Sequence, residues 1–125
     1  MPFTAEHDAL RESVRDFVTK ELRPHAEEWE AAELFPREIY ERMGELGLLG
    51  LRYPAEYGGQ GGDYLCAVVL AEEMAHCGTG GLGMAISVQT EMATPPILKY
   101  GTEEQKQRYL VPAIQGKKII SLGIS

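Results

Sequence analysis

From Thr4 onward apolar residues return at three- and four-residue intervals. Leu10, Val14, Phe17, Val18 and Leu22 form one stripe, with Asp8, Arg11, Glu12, Arg15 and Asp16 opposite. That period predicts an amphipathic helix, and Thr4 is placed to cap it. Pro24 interrupts the ladder and suits the first turn of a short continuation through Trp29, so a kink or restart is expected near Arg23. Pro36 opens the next helix in the same way. Ile39, Met43 and Leu46 line its expected inner face before Gly47 ends it.

The stretch from Gly44 to Gly62, GELGLLGLRYPAEYGGQGG, breaks this period. Pro54 fixes its own φ and biases Tyr53 toward extended backbone, while Gly58, Gly59, Gly61 and Gly62 supply conformations that a Cβ resists. The Leu48–Tyr53 run is far shorter than the ~20 apolar residues of a membrane span, so an irregular, buried loop is predicted. Asp63 then caps a helix, YLCAVVLAEEMAH, that is apolar nearly all round until Glu72 and Glu73, a pattern suited to the middle of a bundle. A glycine-rich connection over Gly78 to Gly83 leads to a helix carrying Met84, Ala85, Ile86, Val88 and Met92, disturbed by Pro95 and Pro96. Thr102 to Gln105, T-E-E-Q, has the form of a capping box and predicts one more helix, ending near Gly116.

The tail changes period. KIISLGI from Lys118 to Ile124 puts Ile120, Leu122 and Ile124 on one face and Ile119, Ser121 and Gly123 on the other, which is strand alternation. A lone strand is not stable, so the pattern predicts that a β domain follows. The expected architecture is all-α, a bundle of about five or six helices over residues 1–117, with the first strand of a β domain over 118–125.

At 125 residues and 44% hydrophobic, the chain is long enough for one globular core. Its net charge is −7 and nine of its nineteen acidic residues fall within the first 33, a balance that repels nucleic acid. Cys66 and Cys77, eleven residues apart, would share a helix face but sit ~16 Å apart along the axis, too far to bridge. With no disulfide framework, signal peptide or Arg-rich transit segment, the chain reads as cytoplasmic. His7, His25 and His76 are scattered without metal-ligand spacing and read as solvated or core-edge residues.

Gly78, Gly80 and Gly83 match G-x-G-x-x-G literally. A dinucleotide fingerprint needs a strand just before it, and a helix precedes it here. Gly58 to Gly62 fails as a phosphate cradle because Asp63 would occupy the anion's place at the helix start. Glu72, Glu73 and Glu91 lie on apolar helices, where burial would raise a carboxyl toward neutrality and make a general base; ion pairs and exposed edges are the competing reading. The Met84, Val88, Met92 stripe is, by spacing alone, core.

Several features together are familiar: Pro24 followed by Trp29, the Phe35–Pro36 pair, LGLLG at Leu46 to Gly50, PAEYGGQGG at Pro54 to Gly62, PPILKYGTEEQKQRYL at Pro95 to Leu110, and the strand start at Ile120. In this order they resemble the N-terminal domain of the acyl-CoA dehydrogenases over essentially the whole chain. The resemblance implies a homotetrameric flavoenzyme whose helical N-terminal domain precedes a middle β domain and a C-terminal bundle. FAD takes a hydride from the β-carbon of an acyl-CoA while a glutamate takes the α-proton, and an electron-transfer flavoprotein reoxidises the flavin.

By position, the resemblance makes the helix from Met84 to Thr94 a wall of the acyl pocket, with Met84, Val88 and Met92 reaching it. It puts Ser125 at the hydroxyl that contacts the flavin, with Leu122 and Ile124 on the same flavin-facing stretch; Leu122 stands where an aromatic is often found. The glutaryl-specific relatives carry an Arg where Gly83 stands, so an apolar or ring acyl group is expected. The catalytic glutamate belongs to the C-terminal domain and no catalytic residue is named within these residues. Acyl-CoA oxidases and flavin monooxygenases of the same architecture are the alternative, and a free-standing helical interaction module is a third.

Overall fold

A computed structural model describes residues 2–125. Its helical segments are α1 (Ala5–Phe17), α2 (Ala26–Ala32), α3 (Glu38–Glu45), α4 (Tyr64–Met74), α5 (Gly80–Ser87), α6 (Pro95–Tyr100), α7 (Glu103–Gln105) and α8 (Val111–Ile114). Wider π turns at Val18–Leu22, Val88–Ala93 and Lys106–Leu110, with a tight 3₁₀ turn at Arg23–His25, join several of these end to end. The result is five helical rods: α1–α2, α3, α4, α5–α6 and α7–α8.

The caps form where short side chains can reach free amides. Thr4 accepts from the His7 amide, and His7 returns the contact by accepting the Thr4 N–H at Nδ1, 2.9 Å away. Asp63 accepts from the Cys66 amide at the start of α4. Thr102 and Gln105 close a full capping box. The interruption expected at Pro24 is the junction of the π turn and the 3₁₀ turn, after which α2 buries Trp29.

Val14, Phe17, Val18 and Leu22 are buried as the stripe predicts, against Ile39, Met43, Leu48, Leu49, Leu70, Met74, Leu82 and Ile86. Leu10 packs at the edge. A second cluster joins Tyr53 and Tyr57 of the glycine-rich segment to Leu110 and Ile114. That segment folds back on itself: the amides of Gln60, Gly61 and Gly62 donate to the carbonyls of Gly50, Tyr53 and Leu51. Gly58, at φ 92°, makes the reversal that a Cβ would strain. At the far side Gly116 (φ 75°) lies so close to α3 that a Cβ there would stand 1.9 Å from the Tyr40 carbonyl oxygen.

Two expectations need correction. Leu46 is 42% exposed and not on the inner face, because α3 ends one residue earlier at Glu45 and the chain turns out. α4 is not central: only Val69, Leu70, Glu73 and Met74 are buried, while Tyr64 is 64% exposed and Val68 half-buried. Its nearly uniform apolarity gave no phase, and its packing on α1 buries one side. Among the described residues no strand forms; residues 119–125 run without a sheet partner, as an isolated strand must.

Candidate functional site

The rod formed by α5, the Val88–Ala93 π turn and α6 carries two different faces. Leu82, Ile86, Gln89, Thr90, Ala93 and Thr94 are buried inward. Met84 (59% exposed), Val88 (half-buried) and Met92 (41% exposed) look out along one line. The Met84 end of that line borders a groove of about 460 Å³ whose walls include Ala71, Ala75, Gly80, Gly83 and Ser87. Every side chain of this groove is apolar or uncharged.

The π turn is held open by hydroxyls. Thr94 Oγ1 donates to the Gln89 carbonyl at 2.6 Å, and Thr90 Oγ1 donates to the Ile86 carbonyl at 3.0 Å. The Tyr53 hydroxyl lies 2.6 Å from Thr94 Oγ1. Burial pushes the Tyr53 hydroxyl up, against a smaller lowering from Thr94; because Thr94 gives its own proton to the Gln89 carbonyl, Tyr53 is the donor of the pair. These local bonds give the backbone carbonyls partners other than the usual amides, which is how a helix tolerates a wider turn.

Between Gly78 and Thr94 the sole charged residue is Glu91. Its carboxylate accepts from Arg52 Nη1 at 2.8 Å, and the Arg52 guanidinium also stacks over the Tyr64 ring, 4.9 Å from its centroid. This pair borders a separate apolar cavity of about 370 Å³ lined in part by Leu48, Leu51, Ala67, Leu70 and Leu98.

Gln89 is 1% exposed, and all of its amide is used. Nε2 donates to the Ala113 carbonyl at 3.2 Å and the Lys118 carbonyl at 2.9 Å, and Oε1 accepts the Ile120 amide at 2.8 Å. Beyond that tether Leu122, Ile124 and Ser125 are exposed, Leu122 by 47% and Ile124 by 86%, and they do not line the groove. Sequence reasoning missed Gln89; its only trace is an amide at a position whose helix neighbours Ile86 and Ala93 face inward.

The three glutamates considered as bases are all engaged. Glu73, 3% exposed, is gripped by Arg11 and Arg15, whose hydrogen bonds, Arg15 first, hold its carboxyl below the usual range. Glu72 lies 3.5 Å from Arg11, and Glu91 is paired as above. Glu73, held in its charged form by two guanidinium groups, is a poor proton acceptor at neutral pH.

The structure gathers one group that the spacing hid. His7 Nε2, Asp63 Oδ1 and Cys66 Sγ lie within 4.8 Å of one another. Because the Thr4 amide donates to Nδ1, the ring proton sits on Nε2 and is donated to Asp63 at 2.8 Å. That bond is the main cause lowering the Asp63 carboxyl, and it joins the cap of α1 to the cap of α4. Cys66 and Cys77 are both free thiols. No helix among the described residues is long and apolar enough to cross a membrane.

Fold and site together define a helical domain that displays a methionine-bearing face on one rod and, tethered to the buried side of that rod, an exposed apolar tail. The family model "Acyl-CoA dehydrogenase, N-terminal domain" matches residues 4–117, and the chain belongs to that family. It is 42% identical over 123 residues to a probable acyl-CoA dehydrogenase of Bacillus subtilis, covering 98% of this chain and 32% of that protein. Identity is 41% over 123 residues, with the same coverage of each, to a short-chain specific acyl-CoA dehydrogenase of Clostridium acetobutylicum. Among solved structures, an acyl-CoA dehydrogenase from Geobacillus kaustophilus superposes with a TM-score of 0.88 at 37% identity, covering 94% of this chain and 30% of that one. Butyryl-CoA dehydrogenase from Megasphaera elsdenii superposes with 0.85 at 29% identity, covering 95% and 32%. The chain thus spans about a third of the length of the curated relatives it matches.

Proposed function

We propose that residues 1–117 form the helical N-terminal domain of an FAD-dependent acyl-CoA dehydrogenase, and that 118–125 begin the strand leading into its β domain. The Met84, Val88 and Met92 face is then one wall of the acyl pocket. Leu122, Ile124 and Ser125 lie against the flavin. Bound FAD supplies the hydride acceptor, which no side chain of this chain can replace. Two exposed aliphatic side chains and one hydroxyl fit the edge of such a ring system, apolar with a few polar atoms.

The carrying observation is the uncharged outward face of the helix from Gly80 to Ala93, where the one carboxylate, Glu91, is already satisfied by Arg52. A buried acyl chain gains by displacing water from such a wall, and a wall without fixed charges keeps the reacting centre dry. The segment from Gly78 to Thr94 offers a terminal carboxylate no Lys or Arg, and the neighbouring Arg52 is already paired with Glu91; an unpaired buried charge is costly. The absence of a side chain at Gly83 is not forced by crowding, since a Cβ there would meet nothing nearer than 3.9 Å. The acyl group is therefore an apolar or ring-bearing monoacyl group. The electron-transfer flavoprotein as acceptor, a homotetramer and a cytoplasmic setting belong to the same reading.

The test uses the full-length protein that carries this domain. It is expected to purify with FAD whose visible absorbance is bleached under anaerobic conditions by a monoacyl-CoA and not by glutaryl-CoA. A preference for glutaryl-CoA would overturn the substrate class, and absence of flavin would overturn the enzyme reading. The 125-residue chain alone, mixed with FAD and passed through gel filtration, is expected to retain no flavin.

A further inference from the structure

Gln89 occupies an improbable place for an amide. It sits in the buried side of the rod whose other side is the acyl wall, and burying an amide is costly unless every group on it finds a partner. Here each does, and the partners are not scattered. Lys118 and Ile120 belong to the outgoing tail, and Ala113 to α8. The neighbour of Gln89 in sequence is Val88, on the acyl-facing line. Two residues after its partner Ile120 comes Leu122, the first of the flavin-facing side chains. One side chain thus spans the two halves of the site.

We propose that Gln89 is a positioning residue that fixes the register between the helix bearing Met84, Val88 and Met92 and the tail bearing Leu122, Ile124 and Ser125. The proposal rests on the function proposed above. Among the described residues no sheet holds the tail, so the bonds from Gln89 are its direct hydrogen bonds to the acyl-facing rod. A glutamine suits the task because two donors and an acceptor must act from one arm. Leucine would leave the Lys118 carbonyl and the Ile120 amide without their Gln89 partner, while the Ala113 carbonyl would keep the Gly116 amide. Glutamate would keep only the acceptor. Asparagine keeps all three groups on an arm one methylene shorter. Hydride transfer is sensitive to placement at this scale, since a misplacement of about 1 Å can cost on the order of a hundredfold in rate.

The experiment compares full-length holoenzyme with Gln89→Leu, Gln89→Glu and Gln89→Asn, reading kcat, KM for a monoacyl-CoA, the visible flavin spectrum and the midpoint of thermal unfolding. Ile114→Val, a buried packing change next to Ala113 that leaves the Ala113 carbonyl and every partner of Gln89 in place, serves as the control for lost stability. Gln89→Leu and Gln89→Glu are expected to lower kcat by on the order of tenfold or more, with KM nearly unchanged and the flavin bands shifted. Gln89→Asn should fall between them and wild type, and Ile114→Val should lose thermal stability without losing kcat. Wild-type kcat and spectrum in Gln89→Leu would overturn the inference, as would a fall in kcat that Ile114→Val reproduces. Should Gln89→Leu fail to fold, Gln89→Asn decides in the same terms. A wild-type holoenzyme without FAD, or one that no acyl-CoA bleaches, would instead overturn the function proposed above and the inference with it, a result visible before any variant is made.

Discussion

Glu73 joins α4 to α1 through a carboxylate that water barely reaches. Its side chain is 3% exposed and accepts from Arg11 Nη1 at 2.8 Å and from Arg15 Nε and Nη2 at 2.9 and 3.2 Å. The arginines are 21% and 62% exposed. That asymmetry makes removal of the two sides unequal. Glu73→Leu frees two guanidinium groups that can turn to solvent and leaves no charge buried without a partner, so a cost of about 1 kcal/mol or less is expected. Arg11→Leu with Arg15→Leu strands the buried carboxylate, which costs about 3–5 kcal/mol out of a typical domain stability of about 5–15. The folded protein also holds the Glu73 proton less tightly than the unfolded chain does. Its contribution is therefore complete above about pH 4.3, the ordinary glutamate value, and is lost as pH falls through the lowered folded value. Urea unfolding followed by circular dichroism at neutral and acid pH reads both effects. The double arginine variant should show much the lower midpoint at neutral pH, and Glu73→Leu should flatten the acid limb. A Glu73→Leu protein less stable than the double arginine variant would refute the reasoning.

Gly116→Ala should cost roughly 2 kcal/mol or more, since a positive φ is strained for alanine and the new Cβ would meet the Tyr40 carbonyl. Gly80→Ala, with open space around it, should be neutral or gain up to about 1 kcal/mol; equal urea midpoints for the two would contradict the close approach of α8 to α3. Thr102→Ala should lower stability by about 1 kcal/mol through loss of the capping box, and an unchanged melting curve would show the box to be unformed. Tyr57 donates to the Glu103 carboxylate, which, with burial second, pushes its hydroxyl up to about 12. The fold favours its neutral form, so this contribution is intact below the ordinary tyrosine value and is lost as pH rises through about 12. In an ultraviolet phenolate titration Tyr57→Phe should delete the latest step, and deletion of an early step would count against the Glu103 bond.

What the sequence made legible was local. Thr4, Asp63 and Thr102 cap because a short side chain reaches an amide two or three residues on, and Pro24 breaks the ladder for reasons contained in its own ring. The α1 stripe was readable because its polar side is as regular as its apolar one. α4 lacked that contrast, so nothing in it distinguished Glu73, buried in an ion pair, from Glu72, exposed one step round the helix. Gln89, the hydroxyls that open the π turn and the meeting of His7 with Asp63 depend on partners 24 to 56 residues away or on a change of turn width. No local period encodes these. The stripe of Met84, Val88 and Met92 was visible as spacing, but which way it faced was decided by the packing of Ile86 and Gln89.

The widened turn also bears on how that stripe stays straight. In an ordinary α-helix four residues overshoot a full turn by about 40°, so a row of side chains at four-residue intervals spirals round the rod. Met84 to Val88 makes such an overshoot. Val88 to Met92 passes through the wider turn, where each residue advances less about the axis and four fall short of a revolution. The two errors have opposite sign, so the row departs less from a straight line than it would along an uninterrupted helix. Side chains four apart are thereby kept nearer one side of the rod by a compensation of phase, which an uninterrupted helix of the same sequence would not achieve.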